Sequence, residues 1–438
     1  MSESTPPESG DAIRERRPWW TWAIPYAGKV PKLTNDQWRV LGLLALAELF
    51  DQYDVGIMGL ALAQIQEGLA IPENEIAGIA AVARIGAILA FALSVLADRF
   101  GRRTLLLWTI LGFTVCTFAT GFVQNATQFA LIQMLARVFI TAETLLAVVV
   151  VTEELHAKDR GWGIGMLGAL GALGHGLAAG IFAFVDVMPF GWRSLYVIGV
   201  VPLLFLAYFR RSLPETKRFE EHRDAMGDGP EFKGLRPVVH LAQMYPGRVA
   251  VLSLALVPFS FVMTTAFTFM PKTLQEVHGY EPADVTAIFL IGGALGILGN
   301  IVAGQLGDRF GRKPVMCISM VVGALALLGF YNASGWVIPM LWVACVFTIQ
   351  ATEVIFKALG SELFPTSHRS TASGMRTVVA TLGSIAGLAI EGTLYEITGS
   401  HAGAITWMVP MLVLPPIVIG LFVPETARQE LETVSPER

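Results

Sequence analysis

Charge is scarce in this chain. Asp, Glu, Lys and Arg make up 15% of its 438 residues and hydrophobic residues 54%, against about 25% charged and roughly 45 to 50% apolar in soluble domains. The net charge of -4 says little, since most charge lies in loops; no nucleic-acid partner is expected. Cysteine is nearly absent too: Cys116, Cys317 and Cys345 fall inside long apolar windows, which excludes a disulfide framework or a Cys/His metal site and leaves them as small packing residues. No Walker loop and no Ser-His-Asp constellation outside the apolar windows is present. An ATP-driven pump or an enzyme is therefore not expected, nor is a cofactor. The first 36 residues lack the charge, short apolar run and cleavage site of a signal peptide. They read as a cytoplasmic tail ending in the Trp-rich "RRPWWTWAIPY", a composition suited to a membrane interface.

What the chain has instead is apolar length. Windows of about 20 mainly apolar residues, enough to cross a bilayer as helix, recur six times between residues 38 and 211 and six times between 248 and 423. With both termini cytoplasmic, the inside loops collect Arg99, Arg102, Arg103, Lys158, Arg160, Arg210, Arg211, Arg309, Arg312, Lys313 and Arg369, while the outside keeps little beyond Arg193 and Lys272. That asymmetry is the positive-inside pattern of an integral plasma-membrane protein, such as one of a bacterial inner membrane. The expected architecture is an all-α membrane protein of twelve transmembrane helices: a tail (1–36), a six-helix bundle (37–211), a polar linker (212–246), a second bundle (247–426) and a short tail (427–438).

The two halves carry the same punctuation. "LADRFGRR" at 96–103 and "LGDRFGRK" at 306–313 lie 210 residues apart, each between the second and third spans of its half. "PET" recurs at 214–216 and 424–426 with the same offset, each after a sixth span. Two unrelated markers sharing one offset point to an internal duplication. A third pair, "EELHAKDRGWGIGM" against "SELFPTSHRSTASGM", aligns with a slip of a residue or two.

These residues resemble the major facilitator superfamily over essentially the whole chain from about residue 36 to 426. The Glu...Arg-Gly pair after span four, the Glu-Leu-Phe-Pro...Arg pair after span ten and the Pro-Glu-Thr ends are most similar to the branch of sugar porters and organic ion transporters. The resemblance implies two pseudo-symmetric six-helix bundles rocking about a central site, without enzymatic activity, as a functional monomer. It also implies a cytoplasmic gate in which Asp98, Arg99, Arg102, Glu154 (or Glu153), Arg160, Asp308, Arg309, Arg312, Glu362 and Arg369 form charge-assisted pairs in one state and release them in the other.

Within the apolar windows, ionisable residues are costly and tend to face a polar crevice. "ELFDQYD" sets Glu48, Asp51 and Asp54 three apart on one face of a helix. Three close carboxylates in low dielectric do not all stay ionised, so at least one is expected to carry a proton. Arg84, Arg137, Glu143, His175, Glu353, Lys357, Arg376 and Glu391 complete the set, expected to line the interior between the bundles. In the sugar-porter pattern a Tyr-Asp of span one pairs with an Arg of span four, which implies that Asp54 takes a proton and releases Arg137. Asp51 is the second candidate, because "DQYD" also resembles the Asp-x-aromatic-Asp of aromatic-acid symporters, and a purely structural ion-pair cluster with Arg84 and Arg137 is the alternative. Glu353 and Lys357, four apart, could also satisfy each other.

The glutamines that such porters use for sugars fall here on Gly168, His175, Pro258 and Phe259, so amide recognition of hydroxyl groups is gone. A binding site drawn from Arg84, Glu143, His175, Phe259, Thr264, Asn300 and Glu353 is mixed apolar, aromatic and ionisable, which suits a small organic ion. The expected function is alternating-access, proton-coupled symport of an organic acid across the bilayer. The alternatives are a proton-coupled antiporter exporting drugs or organic cations, and a non-transporting solute sensor. The Gly- and Ala-rich span five reads as a close contact between bundles that moves.

Overall fold

The computed structural model describes residues 30–95, 101–156, 159–211, 236–365 and 368–427, and among them every regular element is helical. Twelve long segments follow in order: α1 (Asn35–Leu60), α2 (Glu73–Val95), α3 (Arg102–Thr120), α4 (Ala126–Glu154), α5 (Arg160–Phe182), α6 (Trp192–Arg210), α7 (Pro246–Glu276), α8 (Pro282–Phe310), α9 (Arg312–Asn332), α10 (Val337–Glu362), α11 (Arg369–Thr398) and α12 (His401–Met408, continued by Leu414–Phe422). Short helices at Leu62–Gly68 and Arg236–Met244 join them. Ten of the segments are long and apolar enough to cross a membrane. The others are α2 and α1, whose middle holds three carboxylates.

Local chemistry explains the boundaries. Thr34 starts α1 through a capping box with Gln37, each side chain accepting from the other's backbone N–H. Glu281 and Pro282 open α8 in the same manner, with proline at the first turn, where its missing N–H costs nothing. Pro410, Pro415 and Pro416 break α12 into two α-helical pieces around a 3-10 stretch.

Gly101 and Gly311, the glycines of the duplicated loop motif, sit at φ 91° and 103° immediately before α3 and α9. A side chain is strained there, which is why the repeat needs glycine at that place. The other duplicated marker meets it in the second half. The Glu425 carboxylate accepts from the backbone N–H of Arg312 (2.9 Å) and Lys313 (3.2 Å), capping the start of α9. Although burial opposes ionisation, N–H donors from Ala427, Arg312, Lys313 and Thr426 hold this carboxyl below the usual range. The counterpart of this Pro-Glu-Thr, at 214–216, lies outside the described residues.

The packing repeats as the sequence does. In the first half α1 packs on α5, α2 on α4, and α3 on α4 and α6; in the second, α7 packs on α11, α8 on α10, and α9 on α10 and α12. The halves touch through α2 with α11 and α5 with α8. Close crossings depend on small residues: a Cβ on Gly174 would lie 2.0 Å from the Leu49 carbonyl oxygen, and one on Gly387 2.1 Å from that of Phe261. Gly171 and Gly174 of span five serve its crossing with α1 of its own half, while Gly176 and the far end of the span meet α8, a contact between the bundles as expected. Large apolar side chains such as Trp108, Phe205 and Leu421 stand exposed on the outside, as a lipid-facing surface requires.

Between described residues, every hydrogen bond and ion pair that crosses from one half to the other lies at the ends opposite the Arg-rich loops. Gln64 donates to Gln275 (2.6 Å), Asn74 to Glu396 (2.8 Å), and Thr286 to the Ala179 carbonyl (2.7 Å). The molecule is thus closed at that opposite face.

Candidate functional site

A cavity of about 330 Å³ lies at mid-depth where the halves meet. The halves furnish it unequally. The first contributes Arg84 from α2, Arg137 from α4 and His175 from α5; the second contributes Phe259 and Phe267 from α7 and Phe289 from α8. Phe289 stacks on Trp342 at 4.1 Å between ring centroids, and Phe259 packs on Phe356 at 5.5 Å, so the aromatic wall is rigidly backed. Thr264, also lining it, shares a 2.8 Å hydroxyl contact with Ser384.

Neither Arg84 nor Arg137 has an ion-pair or hydrogen-bond partner among the described residues. Both guanidinium groups are half-buried at the cavity wall. The expected Asp54–Arg137 ion pair is accordingly not formed in this state, nor is a cluster of Arg84 with the α1 acids. Glu353, the carboxylate on the wall, is taken by Arg376 at 3.5 Å rather than by Lys357. The wall therefore carries two arginines without a direct carboxylate contact on one side and aromatic faces on the other. That arrangement can bind a small anion with a flat apolar body.

The α1 acids are not between the halves, as expected, but inside the first half, directly behind the cavity wall. Val55 and Gly56 of the same helix line the cavity, while Asp51 is fully buried and Asp54 is 2% exposed. Thr117 of α3 donates to Asp54 at 3.3 Å, and Gln52 and Thr144 donate to Glu48 at 2.8 and 3.0 Å. Neither oxygen of Asp51 has a donor, and a buried carboxylate without one is costly unless it holds a proton. Tyr53 anchors the helix by donating to the Leu195 carbonyl at 2.8 Å.

Two expected binding residues stand elsewhere. Glu143 does not reach the cavity; it faces Arg210 of α6 at 2.7 Å, both buried. Arg210, counted in the sequence as a loop cation, is instead wholly inside, donating to the Leu106 carbonyl. Two buried opposite charges find each other because neither is affordable alone. Asn300 is half-buried on α8 and away from the cavity lining.

At the Arg-rich ends, the pairs between described gate residues lie within each half. Arg102 meets Glu153 at 3.3 Å. Arg312 pairs with Glu362 and lies 3.8 Å from Asp308. The Glu154 carbonyl accepts from Gln37, Arg160 donates to the Leu155 carbonyl, and Arg309 lies over the Phe310 ring. Asp98, Arg99 and the Arg369 side chain lie outside the described residues.

Sequence reasoning put Glu391 in the central crevice and Lys272 in an outside loop; both are instead buried members of a group at the opposite face, which it missed. Lys272, Glu276, Glu73, Glu391 and His401 converge there from α7, α2, α11 and α12. The signal available was the Lys272–Glu276 spacing of four.

Known proteins are similar to this chain. The benzoate transport protein of Acinetobacter baylyi is 25% identical over 405 residues, covering 84% of this chain and 86% of its own length. The niacin transporter NiaP of the same organism is 25% identical over 427 residues, covering 91% and 96%. A crystal structure of a D-xylose-proton symporter matches the fold with a TM-score of 0.74 at 17% identity, over 89% of this chain and 98% of its own. The model of the Major Facilitator Superfamily matches residues 44–349 and 294–437. The chain, an integral membrane transporter of small molecules and not an enzyme, belongs to that superfamily.

Proposed function

We propose that the chain is a proton-coupled symporter of a small organic acid, working by alternating access as two halves (37–211 and 247–426) joined by residues 212–246, in a bacterial plasma membrane with both termini cytoplasmic. The observation that carries the reading is the pair of arginines, Arg84 and Arg137, facing the central cavity without a carboxylate partner. A carboxylate solute supplies the missing charge. The cavity volume of about 330 Å³ is near the lower end of the roughly 300–1,000 Å³ of ligand sites, which favours a small solute. The aromatic wall favours a ring, and the benzoate and niacin relatives agree with both.

Coupling follows from position. Asp51 and Asp54 lie behind the wall that carries Arg137. With a proton on one of them, Arg137 is free to hold the solute's carboxylate; once proton and solute leave, the bare acid competes for Arg137 and resets the helix. Sidedness comes from the Arg-rich loops, which the positive-inside pattern puts in the cytoplasm. The closed opposite face then makes this state inward-facing, its gate pairs Arg102–Glu153 and Arg312–Glu362 separated into their own halves.

Proteoliposomes with an imposed pH gradient test the reading. Acid outside is expected to drive accumulation of benzoate-like acids. Asp51→Asn or Asp54→Asn is expected to abolish concentrative uptake while leaving solute exchange in place. If both variants concentrate solute as the wild type does, the coupling assignment is wrong; if no acid is accumulated and an organic cation is expelled instead, the symport reading is wrong.

A further inference from the structure

The group at the opposite face has a feature that the transport reading does not use. Both ring nitrogens of His401 meet carboxylate oxygens: Nδ1 lies 2.7 Å from Glu391 and Nε2 2.8 Å from Glu73. A neutral imidazole has one N–H and one lone pair. It can donate to only one of two carboxylates, and its lone pair then faces the oxygen of the other at hydrogen-bond distance. The two contacts are both favourable only when the triad holds one further proton, either on the ring or on one carboxyl group.

The surroundings sharpen this demand. Glu391 is fully buried, Glu73 is 40% exposed at the rim, and the His401 ring is stacked on Phe269 at 4.3 Å with Tyr395 at 4.5 Å on α11. Lys272 of α7, itself buried, is shared between Glu73 and Glu276. Tyr331 of α9 donates to the Ala266 carbonyl and gives Glu391 nothing, and Glu396 is occupied by Asn74. The carboxylates here outnumber the single lysine, and the added proton lowers the excess negative charge. Glu73 belongs to the first half and His401 and Glu391 to the second, so this bond ties the halves together where they are closed.

We propose that Glu73, His401 and Glu391 form a second proton-binding site, distinct from the α1 acids, whose occupancy latches the face opposite the Arg-rich loops. The proton comes from water at that face through the exposed edge of Glu73. When it leaves, Glu73 and the imidazole lone pair repel and the halves part. The inference stands on the geometry of this face and is independent of which solute is carried.

The test is a distance measurement that needs no substrate. Spin labels at the exposed positions Glu67 and Val277, one on each half near this face, are read by double electron–electron resonance in nanodiscs from pH 5 to 9. The closed-to-open ratio is expected to fall with rising pH by up to about tenfold per unit, the slope for one linked proton. His401→Gln is expected to flatten that response, and the double variant Asp51→Asn/Asp54→Asn to retain it. Should His401→Gln fail to fold, Glu73→Gln at the rim serves in its place with the same expectation. A wild-type distance insensitive to pH, a full response in the triad variants, or a response that vanishes in the α1 double variant overturns the proposal.

Discussion

Helices α1 and α7 occupy equivalent places in the two halves, yet the buried carboxylates of one have no counterpart in the other. By the 210-residue offset, Glu48, Asp51 and Asp54 correspond to Pro258, Phe261 and Thr264. The same offset relates Arg137 to Phe347 and Arg84 to Ala294. Duplication has kept the loops and crossings that hold the fold, while the first half became the ionic side of the cavity and the second the aromatic side. With the cavity's arginines on one half, that half can answer a charged solute while its partner supplies a largely aromatic wall.

The comparison is broken most severely at Glu143 and Glu353, which the offset also pairs. Glu143→Gln leaves Arg210 buried without a countercharge, an expected loss of about 3–5 kcal/mol, read as a large fall in the thermal unfolding temperature in detergent. Glu353→Gln, whose ion pair with Arg376 is partly exposed, is expected to cost at most about 1 kcal/mol. Equal losses at the two sites would show that burial does not set the difference.

Next comes the division of the cavity. Arg137→Gln is expected to weaken binding of an aromatic monocarboxylate by about 30-fold or more, the lower bound for losing one partner of a desolvated charge pair. Phe259→Leu should weaken an aromatic acid by a smaller factor and an aliphatic acid of similar size hardly at all. Binding titrations with the two acids separate these, and equal effects on both would contradict the assignment of faces.

Smaller effects test the shared punctuation. Gly101→Ala and Gly311→Ala each force a side chain into a positive-φ place, at an expected cost of roughly 1–2 kcal/mol. At Gly311 the new Cβ would also lie 2.5 Å from a Glu425 oxygen, which adds to its loss. Smallest is Glu425→Gln, expected to remove about 1 kcal/mol of capping at neutral pH. Because the folded-state carboxyl is held below its ordinary value of 4.5, its contribution is complete above that value and lost as pH falls through it. The difference between wild type and Glu425→Gln should therefore shrink in thermal melts taken below about pH 4.

The repeat, the long helices and the helix starts were legible because each rests on neighbours in sequence: a capping box spans three residues and an apolar window about twenty. Partner choice was not. Arg210 follows an apolar run as loop arginines do, and nothing in its neighbourhood reveals that it turns inward to Glu143. Arg376 lies 23 positions from Glu353, whereas Lys357 lies four away, and proximity in sequence favoured the wrong partner. Asp51 and Asp54 were identifiable as burdened residues from composition alone, yet which side of α1 faced the cavity depended on the crossing with α5 at Gly174. His401 gave no signal, because its meaning depends on two carboxylates from other helices.

The cap that Glu425 places on α9 has a practical consequence for anyone shortening or tagging the carboxyl terminus. Removing residues after Ala427 leaves the cap intact, whereas ending the polypeptide before Glu425 strips the lid from a helix more than a hundred positions upstream. Fusions of fluorescent reporters should accordingly be joined beyond that glutamate, with a polar spacer that leaves its carboxylate free to turn back.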